Sequence, residues 1–167
     1  PDRLWVMVEA GIYDLIATDH CDYTRQQKLA LNDFTQTPGG LPGLETLLPL
    51  MYTHGVVGRD LTISRLSDLL SAGPAQVWGL WPRKGVLQAG SDADIVVYDP
   101  EPKGEVHAET LHHLAGYSPY EGMALRGRVK TTISRGEIIF HEGRIVGRRG
   151  RGKFVRRRSF REGDGSE

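Results

Sequence analysis

The feature that most constrains this chain is a short run, Ile12-Tyr-Asp-Leu-Ile-Ala-Thr18, set directly after helix-like sequence and directly before Asp19-His20. Brief, mostly apolar runs rich in β-branched residues form strands buried on both faces, and such strands belong to parallel sheets covered by helices. Residues 2–10 supply the preceding helix. Leu4, Trp5 and Val8 recur at helical spacing, Asp2 suits the positive end of the helix dipole, and Gly11 can stop the helix. Helix, turn, buried strand and polar cluster make an α/β unit, and in such units the carboxyl ends of the strands carry the chemistry. At 167 residues the chain is nevertheless too short for a complete (β/α)8 barrel, which takes roughly 250.

Downstream, the loop Gln36-Thr-Pro-Gly-Gly-Leu-Pro-Gly43 has the prolines and glycines that permit tight turns and let backbone amides approach a ligand. Leu44, Leu47, Leu48 and Met51 then trace a helix face, with Pro49 expected to kink it or to mark a second start. Thr62 to Ala72 repeats the pattern through Ile63, Leu66, Leu69 and Leu70, and Gly73-Pro74 opens a further short helix through Val77 and Trp78. From about residue 85 the period changes to that of strands. Asp94-Ile-Val-Val-Tyr98 and Val129 to Ser134 read as strands, and Glu137 to Phe140 pairs with Arg144 to Val146 as a hairpin. The expected division is an α/β part over 1–84, a β-rich part over 85–147 and a basic tail over 148–167 without regular structure.

Net charge is zero, but residues 1–143 carry −6 and residues 144–167 carry +6. Lys/Arg clusters neutralise phosphates, so the tail admits a nucleic-acid reading. The reading preferred here docks Phe154, Val155 and Phe160 on a partner surface while the arginines pair with acidic faces of the same or a neighbouring subunit. Nucleic acid is therefore not the expected partner, and self-association is. The single cysteine, Cys21, excludes an internal disulfide framework and a thiolate zinc cluster and points to a reducing, cytoplasmic compartment. No apolar run approaches the roughly 18 residues of a membrane span, and no signal-peptide pattern opens the chain.

Among chemically capable groups, Asp19 stands first, because a carboxylate at a strand end can bind a metal and take a proton from a metal-bound water. The bland alternative for Asp19 is a turn or capping residue. Cys21 is expected to act as a small buried hydrophobe. Glu109, His112 and His113 have spacing that a helical metal site could use, but no third ligand follows, so packing or surface roles are expected for them and for His107. His54 is expected near the carbonyls of a helix end.

Four segments alter this balance: Thr18-Asp19-His20, Pro38-Gly-Gly-Leu-Pro-Gly-Leu-Glu45, Pro74-Ala-Gln-Val-Trp-Gly-Leu-Trp-Pro-Arg-Lys-Gly85 and Gly90-Ser-Asp-Ala-Asp-Ile-Val-Val-Tyr-Asp-Pro100. In order and spacing they resemble the C-terminal third of cyclic amidohydrolases of the hydantoinase/dihydropyrimidinase group, which also includes dihydroorotases and allantoinases. Tyr117-Ser-Pro-Tyr-Glu-Gly122, Thr132-Ile-Ser-Arg-Gly-Glu137 and Gly152-Lys-Phe-Val155 are similar to hydantoinase C-termini.

The resemblance implies an α/β fold: the C-terminal part of a (β/α)8 TIM barrel with Ile12–Thr18 as its eighth strand, then a small β-sandwich segment and the tail. It implies zinc, about two ions in the complete site with other divalent metals admissible, Asp19 as both metal ligand and proton carrier, and His20 orienting the site from behind. The loop that carries Pro-Asn-Gly in hydantoinases reads Pro38-Gly39-Gly40 here, so main-chain groups of Gly39 and Gly40 are the expected contacts to a cyclic diamide. Gly43-Leu-Glu-Thr46 looks more like the dihydroorotase loop, and Asp22 stands where the family often has proline. The family's His-x-His pair, carboxylated lysine and two further histidines are absent from the sequence, and the chain starts at Pro1. The expectation is therefore a C-terminal piece of a metal-dependent hydrolase of hydantoins or dihydropyrimidines, inactive alone, acting on a small cyclic amide and assembled as a homo-oligomer, tetramer or dimer. The alternatives are a non-catalytic dihydropyrimidinase-like scaffold that keeps the fold and has lost metal ligands, or an allantoinase or dihydroorotase.

Overall fold

Asp2–Glu9 form helix α1, with Val8 on its buried face. Its end is closed by Gly11 at φ 75°, where Gly11 N–H donates to Val8 O and Ile12 N–H reaches back to Met7 O at 3.1 Å, the left-handed stop that glycine provides without steric cost. The computed structural model describes residues 2–30 and 33–158. Contacts divide the chain into two units, the first made of Pro1–Ile16, Leu61–Asp99 and Arg128–Glu167, the second of Ala17–Asp60 and Pro100–Gly127.

In the first unit, Thr62 caps helix α4, Ile63–Ser67, by accepting from Arg65 N–H at 3.1 Å. The helix widens into a π-turn over Asp68–Ala72 and continues as Gly73–Val77, α5, with Pro74 in the first turn where its missing N–H costs nothing. The expected break at Gly73-Pro74 is thus a continuous helical path. Gly73 is required there for a different reason: a Cβ would lie 2.0 Å from Asp14 O, so only glycine lets the two backbones meet. Arg65 Nη2 donates to Tyr13 O at 2.6 Å and Ile16 N–H to Leu69 O at 3.1 Å, which fastens residues 13–16 to this helical run. Leu69 is fully buried and Leu66 nearly so; each such side chain contributes about 1.5–3 kcal/mol.

The strand expected over Ile12–Thr18 does not form among the described residues. The segment has no ladder and bends at Asp14, and Ile12 is 60% exposed. A strand needs donors and acceptors on a neighbour, and here only scattered bonds are available, such as Ile16 to Leu69 and the isolated parallel bridge of His20 with Leu41.

The sheet has the order β1-β2-β3-β4, with β1 Ile95–Glu105, β2 Ala124–Ser134, β3 Glu137–His141 and β4 Arg144–Ile145. Unit boundaries fall within β1, after Asp99, and within β2, after Gly127. β1 runs on past Tyr98 through Pro100 and Pro102, which an edge strand tolerates because a missing N–H there breaks no interior ladder. β2–β3 and β3–β4 are antiparallel. Their turns are two-residue loops, Arg135-Gly136 at φ 50° and 78° and Glu142-Gly143 at φ 45° and 79°. Positive φ at both positions matches the right-handed strand twist, which sets the register Ser134↔Glu137 and His141↔Arg144.

The signature Gly90-Ser-Asp-Ala-Asp94 has a mechanical role in this unit. Lys84 Nζ binds the Asp94 carboxylate and lies 2.9 Å from Asp92 Oδ2, Arg83 Nε is 3.0 Å from Asp92, and Arg135 N–H donates to Asp94 Oδ1 at 2.8 Å. Asp92 is held below the usual carboxylate range by hydrogen bonds from Lys84, which outweigh its desolvation. For Asp94, desolvation pushes upward, but the Lys84 ammonium and the Arg135 N–H outweigh it and hold the carboxyl low; Lys84 is raised because both carboxylates outweigh its own desolvation. The tail lies on the same unit without regular structure: Arg151 reaches Ser134 O at 2.6 Å and Glu137 at 3.2 Å, and Arg158 N–H donates to Gly79 O at 2.7 Å. Val155 is half-buried and Phe154 is 88% exposed, while Phe160 lies outside the described residues.

In the second unit, helix α2, Arg25–Leu29, begins with a reciprocal cap in which Thr24 and Gln27 exchange hydrogen bonds. Helix α3, Leu47–Met51, starts three residues later than the leucine spacing suggests, so Pro49 falls in its first turn. It widens into a π-turn over Tyr52–Val57. Thr53 ties this turn to β2, accepting from Arg126 N–H at 2.8 Å and donating to Pro49 O at 2.7 Å. Met51, Val106 and Ala115 are buried apolar residues of this unit.

Candidate functional site

Asp19 follows the Ile12–Thr18 segment with φ 47°, a left-handed conformation that aspartate tolerates better than most residues. Its carboxylate is exposed. The turn directs His20 towards the glycine loop: His20 N–H donates to Thr18 Oγ1 at 3.2 Å, and its ring Nδ1 accepts from Gly43 N–H at 3.0 Å and Leu44 N–H at 3.2 Å. A ring nitrogen that accepts two amides carries no proton, so Nε2 bears the hydrogen of the neutral ring. His20 is therefore a clip between the Thr18–Asp19 turn and the loop, where Gly43 is buried.

The loop is closed from its other side. Cys21 N–H donates to Leu41 O at 3.1 Å, and Gly40, at φ 81°, lies so close that a Cβ would sit 2.4 Å from Cys21 Sγ. Gly39 has open space around its Cα. Lys28 Nζ donates to Pro38 O at 2.6 Å and also to Gly40 O. Just upstream, Asp33 caps a 3₁₀ turn over Phe34–Gln36, and hydrogen bonds from the Thr35 hydroxyl and amide hold its carboxyl below the usual range.

Sequence reasoning did not find Lys28. The one available signal was the Thr24…Gln27 capping box, which starts a helix and so aims the next side chain. Nor did it find that Glu45 accepts from His112 N–H at 2.8 Å and lies 2.8 Å from His112 Nδ1, or that Asp22 accepts from Leu114 N–H at 3.0 Å. His113 packs its ring edge-on to His20, centroids 6.0 Å apart, and its buried Nδ1 is 3.7 Å from Asp22, beyond hydrogen-bond reach. His107 bonds Glu121 at 3.2 Å. His54 lies in the π-turn with a buried, unpartnered Nε2 rather than on a carbonyl, while its own O accepts from Arg59. An open cleft of about 860 Å³ beside α2, lined by Arg25, Lys28, His107, Tyr117 and Glu121 among others, shares Lys28 with the loop and does not include Asp19.

Among the described residues, no group of three or more His, Cys, Asp and Glu side chains is arranged to hold a metal ion. Asp19 offers one exposed carboxylate of the type a divalent metal accepts. His20 does not add a second ligand, since Nδ1 is committed to the loop amides.

This α/β chain, with a carboxylate beside a clipped glycine loop, belongs to the amidohydrolase family, whose profile matches residues 2–139. Within that family the chain is similar to hydantoinases. It is 42% identical over 161 residues to the D-phenylhydantoinase of Escherichia coli O1:K1 / APEC, an alignment that covers 95% of this chain and 35% of the relative. The D-hydantoinase of Bacillus sp. AR9 superposes with a TM-score of 0.90 at 37% identity, over 95% of this chain and 35% of that one. The D-hydantoinase (dihydropyrimidinase) of Thermus sp. gives 0.89 at 39% identity, over 93% and 34%. The chain thus spans about a third of the length of the relatives it matches.

Proposed function

We propose that this chain is the C-terminal part of a hydrolase that opens a cyclic amide ring, with hydantoins or dihydropyrimidines as the substrate class. The observation that carries the reading is the juxtaposition of an exposed Asp19 carboxylate with the Pro38–Gly43 loop through the His20 clip. Residues 1–84 are assigned to a (β/α)8 barrel, 85–147 to a β-sandwich segment and 148–167 to a tail. Ile12–Thr18 would be the last barrel strand, completed by neighbouring strands from outside these residues. The exposed apolar side chains of Ile12 and Leu44 support a larger body around them.

Asp19 is the residue that would hold a metal, zinc in the reading favoured here, which when bound supplies a water acidic near neutral pH and polarises the scissile carbonyl. Asp19 then handles the proton. Its carboxylate accepts the proton of the attacking water as the oxygen adds to the ring carbonyl, and returns it to the ring nitrogen as the C–N bond breaks. Gly39 and Gly40 hold the diamide through main-chain groups, and His20 keeps loop and carboxylate in fixed relation. A homo-oligomer, dimer or tetramer, in a cytoplasmic compartment completes the proposal, the single cysteine being the support for the compartment.

The test is elemental analysis of the whole protein beside its Asp19→Ala variant, with hydantoin and dihydrouracil hydrolysis assayed on both. Bound divalent metal in the whole protein, with turnover lost in the variant, is the expected result. A folded whole protein with neither metal nor turnover refutes the hydrolase and leaves the scaffold.

A further inference from the structure

We infer that Lys28 is the positioning residue for the substrate-binding loop: its ammonium grips the carbonyls on either side of Gly39 and thereby sets the direction of the amides offered to the ring. This rests on the proposed contact between the Gly39–Gly40 backbone and a cyclic diamide. Lys28 Nζ donates to Pro38 O at 2.6 Å and to Gly40 O. A peptide unit is planar and, when trans, holds its C=O and N–H in opposite directions. The one cis bond among the described residues is Trp81–Pro82, so both loop peptides are trans. With the Pro38 carbonyl turned to the ammonium, the Gly39 N–H of the same peptide points away from Lys28. With the Gly40 carbonyl turned there too, the Leu41 N–H is fixed in the same manner.

The loop needs such an anchor. Gly39 has no side chain and open space about its Cα, so nothing at the residue itself restricts its peptide planes. The Gly40–Leu41 peptide is also held by the His20–Leu41 bridge, so it is the Pro38–Gly39 peptide whose direction rests on Lys28. A cation on a carbonyl oxygen also polarises the amide and strengthens its N–H as a donor. Lysine suits the task because three N–H groups on one atom can serve converging acceptors. The helix carrying it is fixed in turn by the Thr24/Gln27 cap.

The test uses the whole enzyme with three substitutions, Lys28→Met, Lys28→Arg and Gln26→Ala. Lys28→Met is expected to raise KM for the cyclic diamide roughly 10- to 100-fold, the scale of a misplaced binding group, with kcat held within about 3-fold, since binding common to ground and transition states is what is lost. Lys28→Arg keeps charge and donors and is expected to recover most of the loss. Gln26→Ala, at an exposed position of the same helix outside the cap, is expected to leave KM near the parent value. Hydrogen exchange at residues 36–43 should quicken in Lys28→Met and not in Gln26→Ala. An unchanged KM in Lys28→Met, a fall in kcat alone, or an equal KM rise in Gln26→Ala overturns the inference. If the unsubstituted enzyme opens no cyclic amide, the functional reading fails instead, and the exchange rates still decide whether Lys28 holds the loop.

Discussion

Replacing Lys84 by methionine isolates the charge of the cluster behind the Gly90–Asp94 signature. The apolar stem is kept, so packing along it is largely preserved. What is lost is the hydrogen-bonded pairing with Asp94 and the contact with Asp92 at 2.9 Å. A hydrogen bond between charged groups contributes about 1.5–3 kcal/mol. The Asp94 side chain is 35% exposed and that of Lys84 20%, and water contact pulls such a pair towards the roughly 0.2–1 kcal/mol of surface pairs. About 1 kcal/mol is therefore expected for the loss, equivalent to a Tm lower by about 2–4 °C for a chain of this size. The pH dependence carries the sign. Asp92 and Asp94 have depressed values when folded, so their contribution is present above the unfolded carboxylate value of about 3.9 and is lost as pH falls through the folded one. Lys84 is raised, so its contribution is present below about 10.4 and is lost as pH rises through the folded value. The gap between parent and Lys84→Met should hold across neutral pH and close in acid, as read by thermal unfolding of both proteins across that range. No gap at neutral pH, or the same gap at about pH 3, would refute the assignment of the stabilisation to charge pairing.

Two further outcomes follow from the loop. His20→Ala removes the acceptor of the Gly43 and Leu44 amides and leaves the buried Gly43 N–H unsatisfied, a loss of about 1–3 kcal/mol; thermal unfolding should register it, and an unchanged Tm would contradict the clip. Gly40→Ala combines φ 81° with a Cβ placed 2.4 Å from Cys21 Sγ, whereas Gly39→Ala meets open space, so the first should destabilise by roughly 1–3 kcal/mol and the second by far less. Equal effects in denaturant titrations of the two variants would mean that the loop is not packed as described.

Much of this chain is legible residue by residue, because short-range chemistry decides it. The Schellman-type end of α1 follows from Gly11, the α4 start from Thr62, and both tight hairpins from Arg135-Gly136 and Glu142-Gly143, where glycine accepts positive φ. The candidate carboxylate was likewise readable, since a polar residue after an apolar run marks an element's end. Other features depend on distant groups. Ile12–Thr18 has the composition of a buried strand, yet a strand exists only where a neighbour supplies donors and acceptors, and the described residues supply too few. Pro49 looks like a helix breaker until the tertiary start of α3 puts it in the first turn. Asp92 and Asp94 are visible as signature residues, but only folding brings Lys84 and the Arg135 amide to them. In the same way His20 meets amides 23 residues away, and Lys28 meets the loop carbonyls, because contacts between remote segments are fixed by how elements pack, which the local spacing of residue types does not encode.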